Sequence, residues 1–80
     1  MFGWWLVDPI PELKQRAAAR IAEHLRDWSA LDAGMRLHVD PRRIWDLRAG
    51  RLRRFSLEML LTFLTRLNLR VEIYVNGKKL

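Results

Sequence analysis

The most informative stretch of the sequence runs from Ser29 to Gly50 and reads SALDAGMRLHVDPRRIWDLRAG. They predict two short helices, Ala30–Leu37 and a second that begins at Asp40-Pro41. Ser29 and Asp40 can each accept hydrogen bonds from the free amides of a first helical turn, and Pro41 suits the first helical position. Gly50 can end the second helix because glycine tolerates a left-handed conformation.

The apolar residues of this stretch are spaced so that the two helices pack against each other across a tight turn at His38-Val39. Gly34 is small at the position where the helices would cross closely. The polar residues between Asp40 and Arg48 would then point outward together, which is typical of a helix-turn-helix pair whose second helix enters the major groove of DNA. The apolar positions are Ala33, Leu37, Val39, Ile44 and Leu47.

Two further helices flank this pair. Apolar residues recur every three or four positions before it, which predicts a helix over residues 11–28. After the pair, Ser56 can cap another helix with a broad leucine stripe, and Asn68 is expected to end it. The apolar positions are Leu13, Ala17, Ile21, Leu25 and Trp28 in the first of these helices, and Leu57, Leu60, Leu61, Leu64 and Leu67 in the last.

The period of the apolar pattern changes to two after Asn68. Apolar and polar residues alternate over residues 69–75, which predicts a half-buried strand, and residues 76–80 are interpreted as a polar tail. A single strand needs a mate for its backbone groups, and both residues 4–7 and the same strand of a second subunit are candidates. The dimer contacts predicted for the second case are Leu69, Val71, Ile73 and Val75.

The composition predicts a polyanionic partner. The chain has 80 residues, enough for a single domain over residues 1–80, and half of them are hydrophobic. Its 15 basic and 9 acidic residues give a net charge of +6, and 12 of the basic residues are arginine. Because the planar fork of arginine binds phosphate and guanine well, nucleic acid or an anionic membrane surface is the expected class of partner.

The same composition argues against several kinds of site. The chain has no cysteine, and its two histidines, His24 and His38, fall in different segments, so neither a metal site nor a cofactor is expected. No hydroxyl residue has an evident base partner, so no enzyme activity is expected. The apolar arm at residues 1–10 is too short to span a membrane and lacks the features of a secretory signal, which predicts a cytoplasmic protein.

Four motifs follow one another along the chain: ARIAE at residues 19–23, DPRRIWDLRAG at 40–50, FSLE at 55–58 and LRVEI at 69–73. In this order the chain resembles helix-turn-helix proteins of the Xre/Cro type over residues 13–75, in particular the short regulators and antitoxins of the HigA class. The resemblance implies a mainly α, lambda-repressor-like bundle of four helices with a C-terminal β-strand. The chain departs from the family in having His38 where glycine is usual, Gly34 where alanine is usual, and Ala30 where glutamine is common.

The resemblance also implies which residues would touch DNA. Arg42 is the first choice for a guanine contact. Asp46 would accept from a cytosine amine or hold Arg42 or Arg43 in place, and Trp45 would pack either on a thymine methyl or sugar edge or in the core. The residues assigned to base reading are Asp40, Pro41, Arg42, Arg43, Trp45 and Asp46. Those assigned to phosphate contacts are Ser29, Ala30, Arg48, Arg51, Arg53 and Arg54.

The expected function is sequence-specific binding of double-stranded DNA by a homodimer that regulates transcription, as a repressor or autoregulator. A second hypothesis is an antitoxin whose main role is to bind and neutralise a toxin protein, to which the apolar residues 2–7 could contribute. A third is a membrane-surface peptide built on Trp4, Trp5 and the first helix. The third would make the order of the four motifs a coincidence, so no membrane partner is expected.

Overall fold

Four helices and a short β-hairpin make up the described chain. The computed structural model describes residues 9–80, apart from the side chain of Val75. The mainly helical fold of four helices predicted from the sequence is confirmed. The elements are α1 (Ile10–His24), α2 (Ala30–Leu37), α3 (Pro41–Arg48), α4 (Leu57–Arg66), β1 (Tyr74–Val75) and β2 (Lys78–Lys79).

Each helix from α2 to α4 begins at a side-chain cap. A serine or aspartate before the helix accepts a hydrogen bond from an amide of the first turn, which has no partner within the helix. The bonds join Ser29 Oγ to the amide of Asp32 (3.0 Å), Asp40 Oδ1 to that of Arg42 (2.8 Å), and Ser56 Oγ to that of Met59 (3.0 Å). The predicted starts of α2 and α3 are therefore confirmed.

The first helix, α1, is shorter than the sequence predicts. It ends at His24, and the chain then makes separate turns, in one of which the Trp28 amide donates to the carbonyl of Leu25. Leu25 stays fully buried, whereas Trp28 is 40% exposed. The spacing of apolar residues alone does not distinguish these turns from a continued helix. A tight turn in which hydrogen bonds span three residues also keeps Leu25 on the buried side, as a helix would.

The core lies where α1 packs against α4 and α3, and where α2 packs against α3. It is apolar, and no polar or charged side chain of residues 9–80 is buried. Phe55 and Phe63 meet edge to face, with ring centroids 6.3 Å apart. The largest fully buried side chains are those of Ile21, Leu25, Leu37, Ile44, Phe55 and Leu60. This packing holds α3 by its apolar side and leaves its polar side free.

Helix α2 approaches the start of α3 so closely that only glycine fits at position 34. A Cβ on Gly34 would lie 2.7 Å from the carbonyl oxygen of Val39 and 3.3 Å from the nitrogen of Pro41. The Val39 amide also donates to the Gly34 carbonyl over 2.9 Å, which ties the turn to α2. The close crossing predicted at Gly34 is therefore confirmed, and an alanine here would force the backbone to shift.

The C-terminal region differs from the expected strand and polar tail. β1 comprises only two residues, and it pairs antiparallel with β2 across a turn at Asn76-Gly77. Both turn residues have positive φ, 53° and 79°, as in the type I′ turns that an Asn-Gly sequence favours. The interpretation of residues 76–80 as a tail is wrong, because this turn folds them back onto β1. Within the described residues, β1 therefore has a local mate.

Two expectations lie outside the described part of the chain. The first is the apolar arm, of which only Pro9 and Ile10 are described, and Ile10 already belongs to α1. The pairing of residues 4–7 with the C-terminal strand thus stays a prediction. The second is the Val75 side chain as a dimer contact, which stays a prediction for the same reason.

Replacement of His38 by glycine should stabilise the fold. His38 ends α2 with φ 60° and ψ 45°, a left-handed conformation in which a Cβ crowds the backbone. Its side chain is exposed, so glycine would sacrifice little packing. We expect His38→Gly to raise the free energy of unfolding by about 1 kcal/mol, measured by urea denaturation.

The matched control is His38→Ala, which removes the imidazole but keeps the Cβ. Its free energy of unfolding should not rise, because the crowding by the Cβ remains. Stabilisation by alanine as large as that by glycine, or no stabilisation by glycine, would contradict this account of the turn.

Candidate nucleic-acid interface

One side of α3 is buried and the other projects from the fold. Ile44 and Leu47 lie in the core, with exposures of 1% and 3%. On the other side, the Arg42 side chain is 90% exposed and Trp45 is 59% exposed. The alternative that Trp45 is a core residue is therefore wrong. An arginine and an indole held together in solvent by a rigid helix form a surface suited to contact with another molecule.

A groove runs along the surface beside α3 and the loop that follows it. Four arginines and two aspartates line it together with Trp45, so its net charge is positive. Its walls bring together five residues predicted to read bases and two predicted to contact phosphate: Asp40, Arg42, Arg43, Trp45, Asp46, Arg51 and Arg54. Pro41, the sixth predicted base-reading residue, is the half-buried first residue of α3.

Asp40 is engaged within its own helix. Its Oδ1 accepts the backbone amide of Arg42 at 2.8 Å and lies 3.4 Å from Nε of the same residue. The backbone hydrogen bond from Arg42 holds the pKa of Asp40 below its usual value, and the charges of Arg42 and Arg43 act in the same direction. Asp40 is therefore an ionised cap that stabilises the first turn of α3.

Asp46 stabilises the loop after α3. Its Oδ1 lies 3.1 Å from Nε of Arg51, and its carbonyl accepts the Arg51 amide at 2.9 Å. The sequence suggested that Asp46 would hold Arg42 or Arg43, but the partner is Arg51. The loop folds back on the end of α3 at this point, so a residue five positions away is within reach of the carboxylate.

Arg43 also lines the groove. Its guanidinium carbon is 5.7 Å from the ring centroid of Phe55, a cation–π geometry. Its Nη1 also donates to the Arg54 carbonyl at 3.5 Å. These contacts leave Arg43 half-buried and attach the loop to α3 at a second point.

The predicted phosphate contacts fall into different environments. Arg51, Arg53 and Arg54 are exposed on the loop between α3 and α4. The Ser29 hydroxyl caps α2, and Ala30 is half-buried against the core. At the start of α2, contact with an anion would therefore rely on backbone amides rather than on these side chains.

A family model described as a helix-turn-helix domain matches residues 10–76. The chain belongs to this helix-turn-helix family. No curated protein and no solved structure gives a significant match. The family supports DNA binding and a role in transcription regulation for this protein, and its members are typically not enzymes. Among the helices of residues 9–80, none is long and apolar enough to cross a membrane.

Arg48, at the end of the second helix of the helix-turn-helix, turns away from the groove. Its Nη2 donates to the carbonyl of Leu25 at 2.8 Å and to that of Trp28. The guanidinium group thereby closes the turns that follow α1 and joins them to α3. Because the group is committed to these carbonyls, Arg48 is not retained among the proposed phosphate contacts.

Arg66 makes a similar bond that sequence reasoning missed. It lies in the last turn of α4, and its Nη1 donates to the Leu37 carbonyl at the end of α2 over 2.6 Å. A basic residue in a last helical turn is the one signal that could have indicated such a role. That signal does not tell which helix supplies the carbonyl, because the two residues are 29 positions apart.

Arg48→Met should destabilise the helix-turn-helix. Methionine keeps much of the apolar stem but leaves the carbonyls of Leu25 and Trp28 without their charged donor. We expect the free energy of unfolding to fall by about 1–3 kcal/mol in urea denaturation. Arg53→Met is the matched control, because Arg53 is exposed, and it should change stability by less than about 0.5 kcal/mol. Equal effects of the two substitutions would refute the structural role of Arg48.

Proposed function

We propose that this protein binds double-stranded DNA sequence-specifically and regulates transcription. One observation carries the proposal: α3 exposes Arg42 and Trp45, and both line a groove together with three further arginines. Arginine can bind guanine in the major groove bidentately, and additional arginines neutralise the flanking phosphates. Membership of the helix-turn-helix family supports the same assignment.

The residues of the groove and the neighbouring Arg53 have different roles. Arg42 contacts guanine O6 and N7, and Trp45 packs against a thymine methyl or a sugar edge. Arg51, Arg53 and Arg54 contact phosphates, which orient the protein without reading sequence. The acidic residues orient arginines, since Asp40 lies beside Arg42 and Asp46 pairs with Arg51. For Asp46, the ion pair with Arg51 is therefore favoured over a contact with cytosine.

The finer form of the proposal is a homodimeric repressor or autoregulator of the Xre/Cro type. Two copies related by a two-fold axis would present two α3 helices about 34 Å apart, one turn of DNA. Such a dimer reads a nearly palindromic site, because each half-site meets the same residues. The resemblance of the four sequence motifs to the HigA class supports this form.

The proposal is tested in two steps. Bound duplexes are first selected from random DNA, and the selected duplex is then titrated at several salt concentrations. Arg42→Ala should lose about 1–3 kcal/mol of discrimination at one base position, because one bidentate contact is removed. Arg53→Ala should weaken binding to all duplexes alike and lower the slope of log K against log salt by about one.

Arg20→Ala is the matched control for these variants. It removes the same charge from α1, where Arg20 lines a different groove, beside Leu69. Its base preferences should equal those of the parent protein. Equal affinity for every duplex would contradict sequence specificity, and an absence of binding at low salt would contradict DNA binding itself.

A second candidate function is the neutralisation of a toxin protein, and a patch beside α2 favours it. Trp28, Leu31 and Met35 are 40%, 61% and 69% exposed, and together they form an apolar row at helical spacing. Asp27, Asp32 and Arg36 border the same surface, which leaves it with a net negative charge. Apolar and acidic groups suit a cationic protein surface better than DNA phosphates.

Coexpression with the product of a neighbouring gene tests this candidate. The double variant Leu31→Lys/Met35→Lys should lose a copurifying RNA-cleaving toxin, whereas Leu13→Lys, at a 44% exposed position of α1, should retain it. Retention of the toxin by the double variant would rule out the patch as the toxin contact.

A further inference from the structure

The segment between α4 and β1, residues 69–73, is extended, and within residues 9–80 only its last residue, Ile73, pairs with a residue of the opposite arm of the hairpin. Residues 69–73 belong to no helix and lie outside β1 and β2 in the described chain. Arg70 Nε lies 3.0 Å from Glu72 Oε1, and Tyr74 Oη donates to Glu72 Oε2 over 3.0 Å. Contacts between residues two apart place these side chains on one face, as in a β-strand. The segment therefore continues β1 back towards α4.

The second strand of the hairpin covers only one edge of this extended segment. The Leu80 amide donates to the Ile73 carbonyl over 2.8 Å, which prolongs the pairing of β1 with β2. Since the backbone groups of successive strand residues point to opposite edges, those of Arg70 and Glu72 point away from β2. Neither residue has a backbone hydrogen bond within residues 9–80. This outer edge is thus a template for a further strand.

One face of the extended segment is apolar and exposed to solvent. Val71 is 37% exposed and Ile73 is 48% exposed, while Leu80, next to Ile73 on the other arm of the hairpin, is 81% exposed. Leu69, on the same face, is half-buried and packs against the core. The apolar face is therefore continuous with the core, and such a face is typical of an interface.

The order of residues in the segment is complementary to itself. Residues 69–73 read LRVEI, with a cation and an anion at equal distances from the central Val71. In an antiparallel pair about a two-fold axis at Val71, Arg70 faces Glu72 of the second copy, and Leu69 faces Ile73 of the second copy. Opposite charges and apolar side chains directly across a sheet stabilise its pairing.

The unpaired backbone groups favour the same register. With the axis at Val71, the outward-pointing groups of Arg70 and Glu72 exchange hydrogen bonds between the two copies. An axis at Glu72 also uses outward-pointing groups, but it places two carboxylates directly opposite each other, which is destabilising. Charge and hydrogen bonding therefore agree on a second copy of this chain as the occupant of the edge.

We propose that the outer edge of residues 69–73 is a homodimer interface, in which the segment pairs antiparallel with itself about a two-fold axis at Val71. The pairing joins two hairpins into one four-stranded sheet. The inference deepens the dimeric DNA-binding function proposed above, and its role in the cell rests on that function.

A single cysteine at position 71 tests the register. The chain has no other cysteine, and Val71 is the residue that meets its own copy across the axis. The Cα atoms of residue 71 in the two copies would lie about 4.5 Å apart, within the range that a disulfide spans. We expect Val71→Cys to form a linked dimer under mild oxidation roughly tenfold faster than Ile73→Cys, the matched control on the same face.

Charge substitutions test the pairing without a covalent link. Arg70→Glu should weaken the dimer roughly tenfold in sedimentation velocity, because it places like charges opposite each other across the axis. The double variant Arg70→Glu/Glu72→Arg restores opposite charges at the same positions and should recover the dimer. A double variant as weak as the single one would contradict direct pairing of these residues.

Three other results would overturn the inference. The first is a protein that stays monomeric at all concentrations, and the second is equal oxidation rates for the two cysteine variants. The third is a monomer that dimerises once residues 2–7 are deleted, because this result would show that those residues occupy the edge. Titration with duplex DNA separates this inference from the proposed function. A monomer that binds duplex contradicts the dimer alone, and a dimer that binds no duplex contradicts DNA binding alone.

Discussion

The outward presentation of α3 depends on the close contact between α2 and the chain that enters α3. At Gly34 there is no room for a side chain, because a Cβ would lie 2.7 Å from the Val39 carbonyl oxygen. The turn is hydrogen-bonded back to α2 there, and the Asp40 cap starts α3 directly afterwards. Ile44 then anchors the helix in the core, so the direction of its exposed face is set by packing rather than by the residues on that face.

Arginine side chains in this fold serve two purposes with the same chemistry. Arg48 and Arg66 donate to main-chain carbonyls near the ends of other helices, whereas Arg42 projects into solvent. A guanidinium donates to a carbonyl oxygen as it does to a phosphate oxygen, since both are acceptors. The net charge of +6 therefore indicates attraction to polyanions without identifying which arginines make contact.

In the C-terminal hairpin, the position of a single turn determines which edge of the strand is paired with β2. The Asn76-Gly77 turn folds β2 onto one side of the strand, and no other strand of residues 9–80 covers the opposite side. The opposite side is the one on which the backbone groups of Arg70 and Glu72 lie. Within residues 9–80, a strand expected from alternation alone thus has a mate on one edge and no mate on the other, and the alternation does not distinguish the two edges.

The sequence alone determined the starts of α2 and α3, the close crossing at Gly34 and the apolar positions Ile44 and Leu47. Caps and helical spacing act between residues a few positions apart, so they can be recognised in a linear sequence. The end of α1, the inward role of Arg48 and the pairing of Asp46 with Arg51 depend instead on how the helices pack. Arg48 and Leu25 are 23 positions apart, and residues so distant meet only when the packing of the helices brings them together.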